Sequence, residues 1–449
     1  MGELFGTDGI RGMANEYPIT PEMALKIGRA TAHLFKQEDH KTRILIGKDT
    51  RISGDMLEHA LIAGICSVGA DALLAGVLPT PGVAFMTRSM ALDAGVMISA
   101  SHNPFHDNGI KIFSGDGFKL SDDTEREIEN LILQKNMAGP SNTLRALGRA
   151  YPVTDPCGHY VRFLKHEVPE DNILEGLHVI LDCANGATLQ AAPLTFSELG
   201  AKVKTLFAEA DGSNINLNCG SEHLKSLADA VVKSRADAGF AFDGDGDRVI
   251  AVDEKGDRLG GDQMLAICAK VMKDEGRLTN NVVVSTVMSN LGLGRALKGL
   301  GVEHVITQVG DRHVLQGMLA RGACIGGEDS GHMIFLDHQT TGDGIMTALK
   351  VIGAMRRTGQ PLSELSKIMK VFPQCLINVE VKHKPAIEEV PEIVAAVEDA
   401  EKALGEEGRV LVRYSGTQPM CRVMVEGPSH EETEKHCGEI AAVVRKTLD

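Results

Sequence analysis

The 449-residue sequence lacks a basic balance: 46 Lys and Arg stand against 61 Asp and Glu, for a net charge of −15. A chain this acidic is a poor binder of nucleic acid, which needs a basic surface. A site for a small anion must therefore gather Arg, Lys and backbone N–H groups locally. No stretch approaches the roughly eighteen uninterrupted apolar residues of a membrane span. The start, "MGELFGTDGIRG", has no apolar core of a secretory signal. The nine cysteines are scattered and no C-x-x-C occurs. An odd number in a long chain favours reduced thiols in a cytosolic protein.

What is present is ordinary globular material, 43% hydrophobic and 24% charged, enough for about three domains. Short apolar runs alternate with helical patterns. "RILIGKDTR" (43–51), "AGVMISAS" (94–101), "LHVILDCANG" (177–186), "AGFAFDGDGD" (238–247), "NVVVSTVMSN" (281–290) and "ACIGGEDSG" (323–331) read as strands running into polar or Gly-rich loops. Between them lie helices such as 20–35, with Thr20 as N-cap, Pro21 at the first helical position and Glu22 at the positive end of the dipole. Such alternation predicts parallel α/β sheets, with ligands at the carboxyl ends of the strands. "DAGVMISAS" (93–101) and "DAGFAFDGD" (237–245) align without a gap, placing Ser101 opposite Asp245. The expected organisation is three related α/β units, 1–150, 151–255 and 256–371. A small α+β domain, 372–449, follows, with "RVLVRYSG" and "CRVMVEG" as an antiparallel pair.

"DGDGDR" (243–248) carries the strongest chemical signal. Three carboxylates at alternate positions, with glycines to curl the loop, form a compact set of hard oxygen ligands suited to Mg²⁺. An EF-hand is excluded, because Arg248 replaces the required Gly and the run follows a strand. "SASHNP" (99–104) is either a strand-ending turn or an acceptor for a transferred group. It is no hydrolase elbow, which reads G-x-S-x-G. A phosphoryl acceptor fits better, because the Asp cluster supplies the metal that phosphoryl transfer uses. "RYSGTQPMCR" (413–422) is either a hairpin with solvated arginines or a phosphate cradle. "GGEDSGH" (326–332) places Glu328 and Ser330 two apart, toward a polyhydroxylated ligand or in a plain Gly-rich turn. "GTDGIRG" (6–12) holds Arg11 in a tight turn. "NLGLGR" (290–295) lacks the third Gly of a dinucleotide loop.

The four motifs "SASHNP", "DGDGDR", "GGEDSGH" and "RYSGTQPMCR", in this order, resemble the α-D-phosphohexomutase superfamily over essentially the whole chain. "FGTDGIRG", "NINLNCGSEH", "VGDRHV" and "DHQTTGDG" resemble its glucosamine-phosphate branch more than its phosphomannomutase/phosphoglucomutase branch. Gln418 departs from the acid usual in the phosphate loop. The resemblance implies four domains around a central cleft and interconversion of glucosamine 6-phosphate and glucosamine 1-phosphate, feeding UDP-N-acetylglucosamine synthesis. It implies a phosphoserine at Ser101, and one Mg²⁺ per chain held by Asp243, Asp245, Asp247 and the phosphorylated Ser101. Arg11, His102 and Arg248 would line the phosphate. Lys111 would act as general acid/base, with its pKa lowered. Glu328, Ser330 and His332 would bind the sugar. Arg413, Ser415, Gly416, Thr417 and Arg422 would hold the phosphate that is not reacting. A sugar 1,6-bisphosphate would serve as intermediate and activator, and the fourth domain would close as a lid. The expected partner is a small phosphosugar, with no nucleic acid and no membrane, in the cytoplasm; a homodimer is compatible with this. The rivals are the mannose/glucose branch, a metal-dependent phosphatase and a non-catalytic binding protein for Mg²⁺ or sugar phosphate.

Overall fold

The computed structural model describes residues 4–6, 8–133, 147–168, 173–415 and 419–449. They divide into two bodies, 1–287 with 303–367, and 288–302 with 368–449.

The first body contains three sheets of one design. In each, a first strand runs parallel to a second and a third, and the third turns back as an antiparallel hairpin. In the first sheet Arg43–Lys48 pairs with Asp71–Val77 and Ala94–Ile98, and Ala94–Ile98 pairs with Asp107–Ser114. In the second, His178–Asp182 pairs with Lys202–Leu206 and Ala238–Phe242, and Ala238–Phe242 pairs with Val249–Asp253. In the third, Val282–Thr286 pairs with Glu303–Thr307 and Ile325–Gly327, and Ile325–Gly327 pairs with Met333–Phe335. The two segments that align in the sequence thus hold equivalent strands. Ile10–Met13 extends the first sheet beyond its hairpin. Ala94–Ile98 and Ala238–Phe242 are buried at every position, as expected of central strands covered on both faces.

Helices cover these sheets. Pro21–Leu34 begins as expected, with Thr20 Oγ1 accepting from the Met23 amide at 3.3 Å. It packs on Ser53–Ser67 through glycine. A Cβ at Gly64 would meet the Leu25 carbonyl oxygen at 2.2 Å, and one at Gly28 would meet that of Leu61 at 2.6 Å.

The second body has the antiparallel sheet Gln374–Glu380, Met420–Glu426, Arg409–Tyr414, with Met420–Glu426 central. Pro391–Leu404 and His430–Leu448 pack on it around Ile393, Val423, Val425 and Ile440. The helix Leu291–Gly299 belongs to this body. Its first amide donates to Glu426 Oε2 at 3.1 Å, and Arg409 Nη2 donates to the Ser289 carbonyl at 2.7 Å. Both the mixed α/β sheets and the antiparallel carboxyl-terminal sheet follow the sequence expectation.

The glycine packing gives opposite signs at two helical positions. Gly64→Ala should destabilise by about 1–3 kcal/mol, because backbone must shift and this outweighs the gain in helix propensity of about 1 kcal/mol. Gly438→Ala, where a Cβ meets nothing within 4 Å, should stabilise by about 0.4–1 kcal/mol. Urea midpoints of the two variants check both signs.

Candidate active site

The loop after the third strand carries the chemistry in each sheet: Ser101 in the first, Asp243–Arg248 in the second, Glu328–His332 in the third. Ser101 is fully buried and sits in the left-handed region, at φ 54°. A non-glycine residue there must be held. Its amide donates to Ser99 Oγ at 2.9 Å, and Ser99 donates to Asp49 Oδ2 at 2.6 Å. Arg51 pairs with Asp49 at 2.8 Å, both side chains wholly buried. The same guanidinium donates to the carbonyls of Ser101 at 2.9 Å, Asn103 at 2.8 Å, Asp107 at 3.0 Å and Pro104. From the loop that follows the strand Lys202–Leu206, Asn216 Nδ2 donates to Ser101 O at 2.9 Å and Asn103 O at 3.0 Å. The loop is therefore clamped from behind while its hydroxyl points forward.

That hydroxyl donates to Asp243 Oδ2 at 2.6 Å, and His102 Nδ1 lies 3.3 Å from Ser101 Oγ. Burial and the nearby Arg248 and Arg11 push the His102 imidazole down to about 4, so it is neutral near pH 7. The two loops meet closely: a Cβ at Gly244 would lie 2.6 Å from Ser101 O. The spacing in "DGDGD" therefore serves contact as well as curvature.

Asp243, Asp245 and Asp247 are buried and offer ligand oxygens within 4.8 Å of one another. Burial, Asp247 and Asp245 push the Asp243 carboxyl well up. Asp245 Oδ1 and Asp247 Oδ1 are buried with no hydrogen-bond partner among the described residues. Unsatisfied carboxylate oxygens at that depth are costly. The donor set, all hard oxygen, fits a divalent cation such as Mg²⁺.

The cations around the triad come from the first and second sheets. Lys111 Nζ lies 2.8 Å from Asp245 Oδ2, 3.2 Å from Asp247 Oδ2 and 3.1 Å from Asp8 Oδ2. Burial alone would lower the Lys111 pKa, but these three carboxylates outweigh it and hold the ammonium well above its ordinary value. The sequence expectation of a lowered pKa is thus reversed here. Lys111 answers three carboxylates, and Arg11 counters them only in part. Arg11 pairs with Asp8, and its Nη1 is 3.4 Å from Ala100 O. The Arg248 amide donates to Asp243 Oδ1 at 3.1 Å, and its Nε is 3.8 Å from Asp247 Oδ1.

In the third loop the Gly310 amide donates to Glu328 Oε1 at 2.9 Å. Ser330 Oγ is buried and has no hydrogen-bond partner among the described residues. His332 is buried between two carboxylates, with Nδ1 3.7 Å from Asp247 Oδ1 and Nε2 3.6 Å from Asp311 Oδ2. Gly342 donates its amide to Nε2 at 3.2 Å. In the second body Arg413 and Arg422 are direct cross-strand partners. Burial and then Arg422 lower the Arg413 pKa, and Arg422 Nε is buried without a hydrogen-bond partner among the described residues. Like charges placed directly opposite are destabilising unless an anion lies between them. Lys384 adds a third cation, donating to Ser415 O at 3.0 Å. Gly416 and Thr417 lie outside the described residues.

Sequence reasoning missed Asp8, Thr80, Lys119 and Asp311 as charge and hydrogen-bond partners, and Asp49, Arg51 and Asn216 as the clamp. Thr80 Oγ1 donates to Asp245 Oδ2 at 2.5 Å. Lys119 lies 2.5 Å from Asp8 Oδ1 and also pairs with Asp311. The polar strand end "GKDTR" and the motif "VGDRHV" marked two of these places, without showing which residues they meet.

Four family models cover most of the chain, all of phosphoglucomutase/phosphomannomutase: alpha/beta/alpha domain I over 2–138, domain II over 159–256, domain III over 260–372 and the C-terminal domain over 376–443. Among curated proteins, the phosphoglucosamine mutase of Syntrophus aciditrophicus is 63% identical over 448 residues, covering 100% of both chains. That of Syntrophobacter fumaroxidans is 56% identical with the same coverage. Among solved structures, a phosphoglucomutase/phosphomannomutase family protein from Burkholderia thailandensis shares the fold, with a TM-score of 0.81, 22% identity, and coverage of 99% of this chain and 98% of that one. So does Aspergillus fumigatus N-acetylphosphoglucosamine mutase in complex with GlcNAc-6P and magnesium, with a TM-score of 0.68, 17% identity, and coverage of 100% and 96%. With the match running through all four domains, the chain belongs to the phosphoglucomutase/phosphomannomutase family.

Proposed function

We propose that this protein is a phosphoglucosamine mutase, an isomerase that interconverts glucosamine 6-phosphate and glucosamine 1-phosphate through a phosphorylated Ser101. The observation that carries the reading is the hydroxyl of Ser101, clamped in a left-handed turn and donating at 2.6 Å into a buried carboxylate triad. The full-length relatives at 63% and 56% identity support the choice of sugar.

In the first transfer the bond between phosphorus and Ser101 Oγ breaks and one from phosphorus to a substrate hydroxyl oxygen forms, giving a 1,6-bisphosphate. The hydroxyl proton leaves toward Lys111. In the second, the other phosphate returns to Ser101 and the proton goes back to the sugar oxygen it leaves. Asp243, Asp245, Asp247 and an oxygen of the phosphorylated Ser101 would hold Mg²⁺, which when bound neutralises charge on the phosphoryl oxygens. A cation on Asp245 and Asp247 would also weaken their hold on Lys111, moving its pKa in the direction that proton transfer needs. Arg11 and Arg248 supply further positive charge, and neutral His102 supplies a hydrogen-bonding nitrogen beside Oγ. Glu328, Ser330 and His332 bind the sugar. Arg413, Ser415, Gly416, Thr417 and Arg422 take the second phosphate. Water must be excluded, because it competes for the phosphoryl group. A sugar 1,6-bisphosphate would restore the phosphoserine of an enzyme that has lost it. The nine free thiols suit a reducing cytosol.

Three outcomes check this. Turnover of glucosamine 6-phosphate should exceed that of mannose 6-phosphate and glucose 6-phosphate by at least about tenfold in kcat/KM; a preference for the mannose substrate would move the protein to the other branch. Intact-mass analysis should find one phosphoryl group on Ser101, and Ser101→Ala should lose both it and at least about 10³-fold in kcat. Full activity in that variant would end the mechanism. Asp243→Asn should raise the melting temperature in chelator by about 1–3 °C, because it removes one of three mutually repelling buried carboxylates. It should abolish the further rise that Mg²⁺ gives the parent protein.

A further inference from the structure

We infer that Asp311 is the residue that distinguishes an amine from a hydroxyl at C2 of the sugar, an inference that rests on the proposed function. Asp311 opens the helix Asp311–Arg321, immediately after Gly310, whose amide binds Glu328 of the sugar loop. Its Oδ2 lies 3.6 Å from His332 Nε2. Asp311 therefore borders the sugar loop without belonging to its motif.

Charge balance says what it lacks. Asp311 pairs with Lys119, but Lys119 is shared with Asp8 at 2.5 Å. Asp8 also has Lys111 at 3.1 Å and Arg11. Among the described residues Asp311 pairs with no second lysine or arginine, only with the His332 ring at 3.6 Å. The His332 nitrogen facing it is already engaged by the Gly342 amide at 3.2 Å. The Arg312 side chain turns away to Asp122 and Glu125, and only its amide reaches Asp311 Oδ1, at 2.8 Å. Burial works against the charge of Asp311, yet Lys119 outweighs it and holds the carboxyl below its ordinary range; the helix N-terminus favours an anion there too. An ionised carboxylate that holds half a lysine has room for one more cation. The protonated C2 amine of glucosamine is such a cation. A hydroxyl at C2 gains a hydrogen bond there but no ion pair, and charge-assisted bonds are roughly twice as strong as neutral ones.

The test compares kcat/KM for glucosamine 6-phosphate with the inhibition constant of glucose 6-phosphate against it, in the parent, Asp311→Asn and Lys119→Met. Asp311→Asn should lower kcat/KM for the amino sugar by roughly 10- to 100-fold while the glucose 6-phosphate constant moves by less than about threefold. That unmoved constant also shows an intact fold. Lys119→Met should weaken both sugars in parallel. The inference is overturned if Asp311→Asn weakens both sugars equally, if it changes neither, or if Lys119→Met reproduces the selective loss, since Asp311 would then act only by holding the lysine. A parent enzyme that does not turn over glucosamine phosphates defeats the proposed function itself, a separate and visible result.

Discussion

Negative charge gathered without enough positive charge to balance it is the constraint on which the site depends. Asp243, Asp245 and Asp247 share one small buried volume, and Asp8 and Asp311 stand close by. Against them are Lys111, Lys119, Arg11 and Arg248, each already in contact with at least one carboxylate. Buried pairs of this kind add little net stability, yet removing one member leaves a charge whose cost is about 3–5 kcal/mol. The cluster therefore specifies more than it stabilises. Asp8 and Lys111 come from the first sheet's side, the triad from the second, Asp311 and His332 from the third. No one of these loops can shift alone without stranding a charge, so the charges keep the three sheets in register at one point.

The repeated design explains why that point exists. Each sheet ends its third strand at a hairpin loop, and the three loops are topologically the same place used three ways. The first presents a hydroxyl, the second a set of carboxylates, the third an acid and a serine. The strands beneath are nearly interchangeable apolar runs such as "AGVMI" and "AGFAF". Side chains at the strands' ends therefore vary in chemistry while the scaffold that aims them stays constant.

The same division decided what was legible in the sequence. Strand runs, the Thr20-Pro21 helix start and the alignment of the first two units were readable because burial and capping leave local patterns. The Asp triad and the Ser101 loop were readable because each is a polar cluster within a few residues of sequence. Asp49, Arg51, Asn216, Asp8 and Lys119 were not, because each acts across the fold: Arg51 reaches the Ser101 carbonyl over |i−j| = 50 and Asn216 over 115. No local pattern marks such a residue. The direction of the Lys111 pKa was misread for a related reason. The lowered value was implied by the resemblance alone, whereas strand pairing with Ala94–Ile98 turns its amine toward carboxylates from elsewhere in the chain.

Charge imbalance also gives the second body its meaning. Arg413 and Arg422 oppose each other across one strand pair, with Lys384 at the adjoining loop. Two guanidiniums so placed raise the energy of the empty site and lower it again when a dianion arrives, as the triad does for a cation. The protein thus builds one place short of positive charge and another short of negative charge. The first calls for a cation and the second for an anion. Electrostatics alone therefore favours a dianion at the paired arginines, before any other group of a ligand is read.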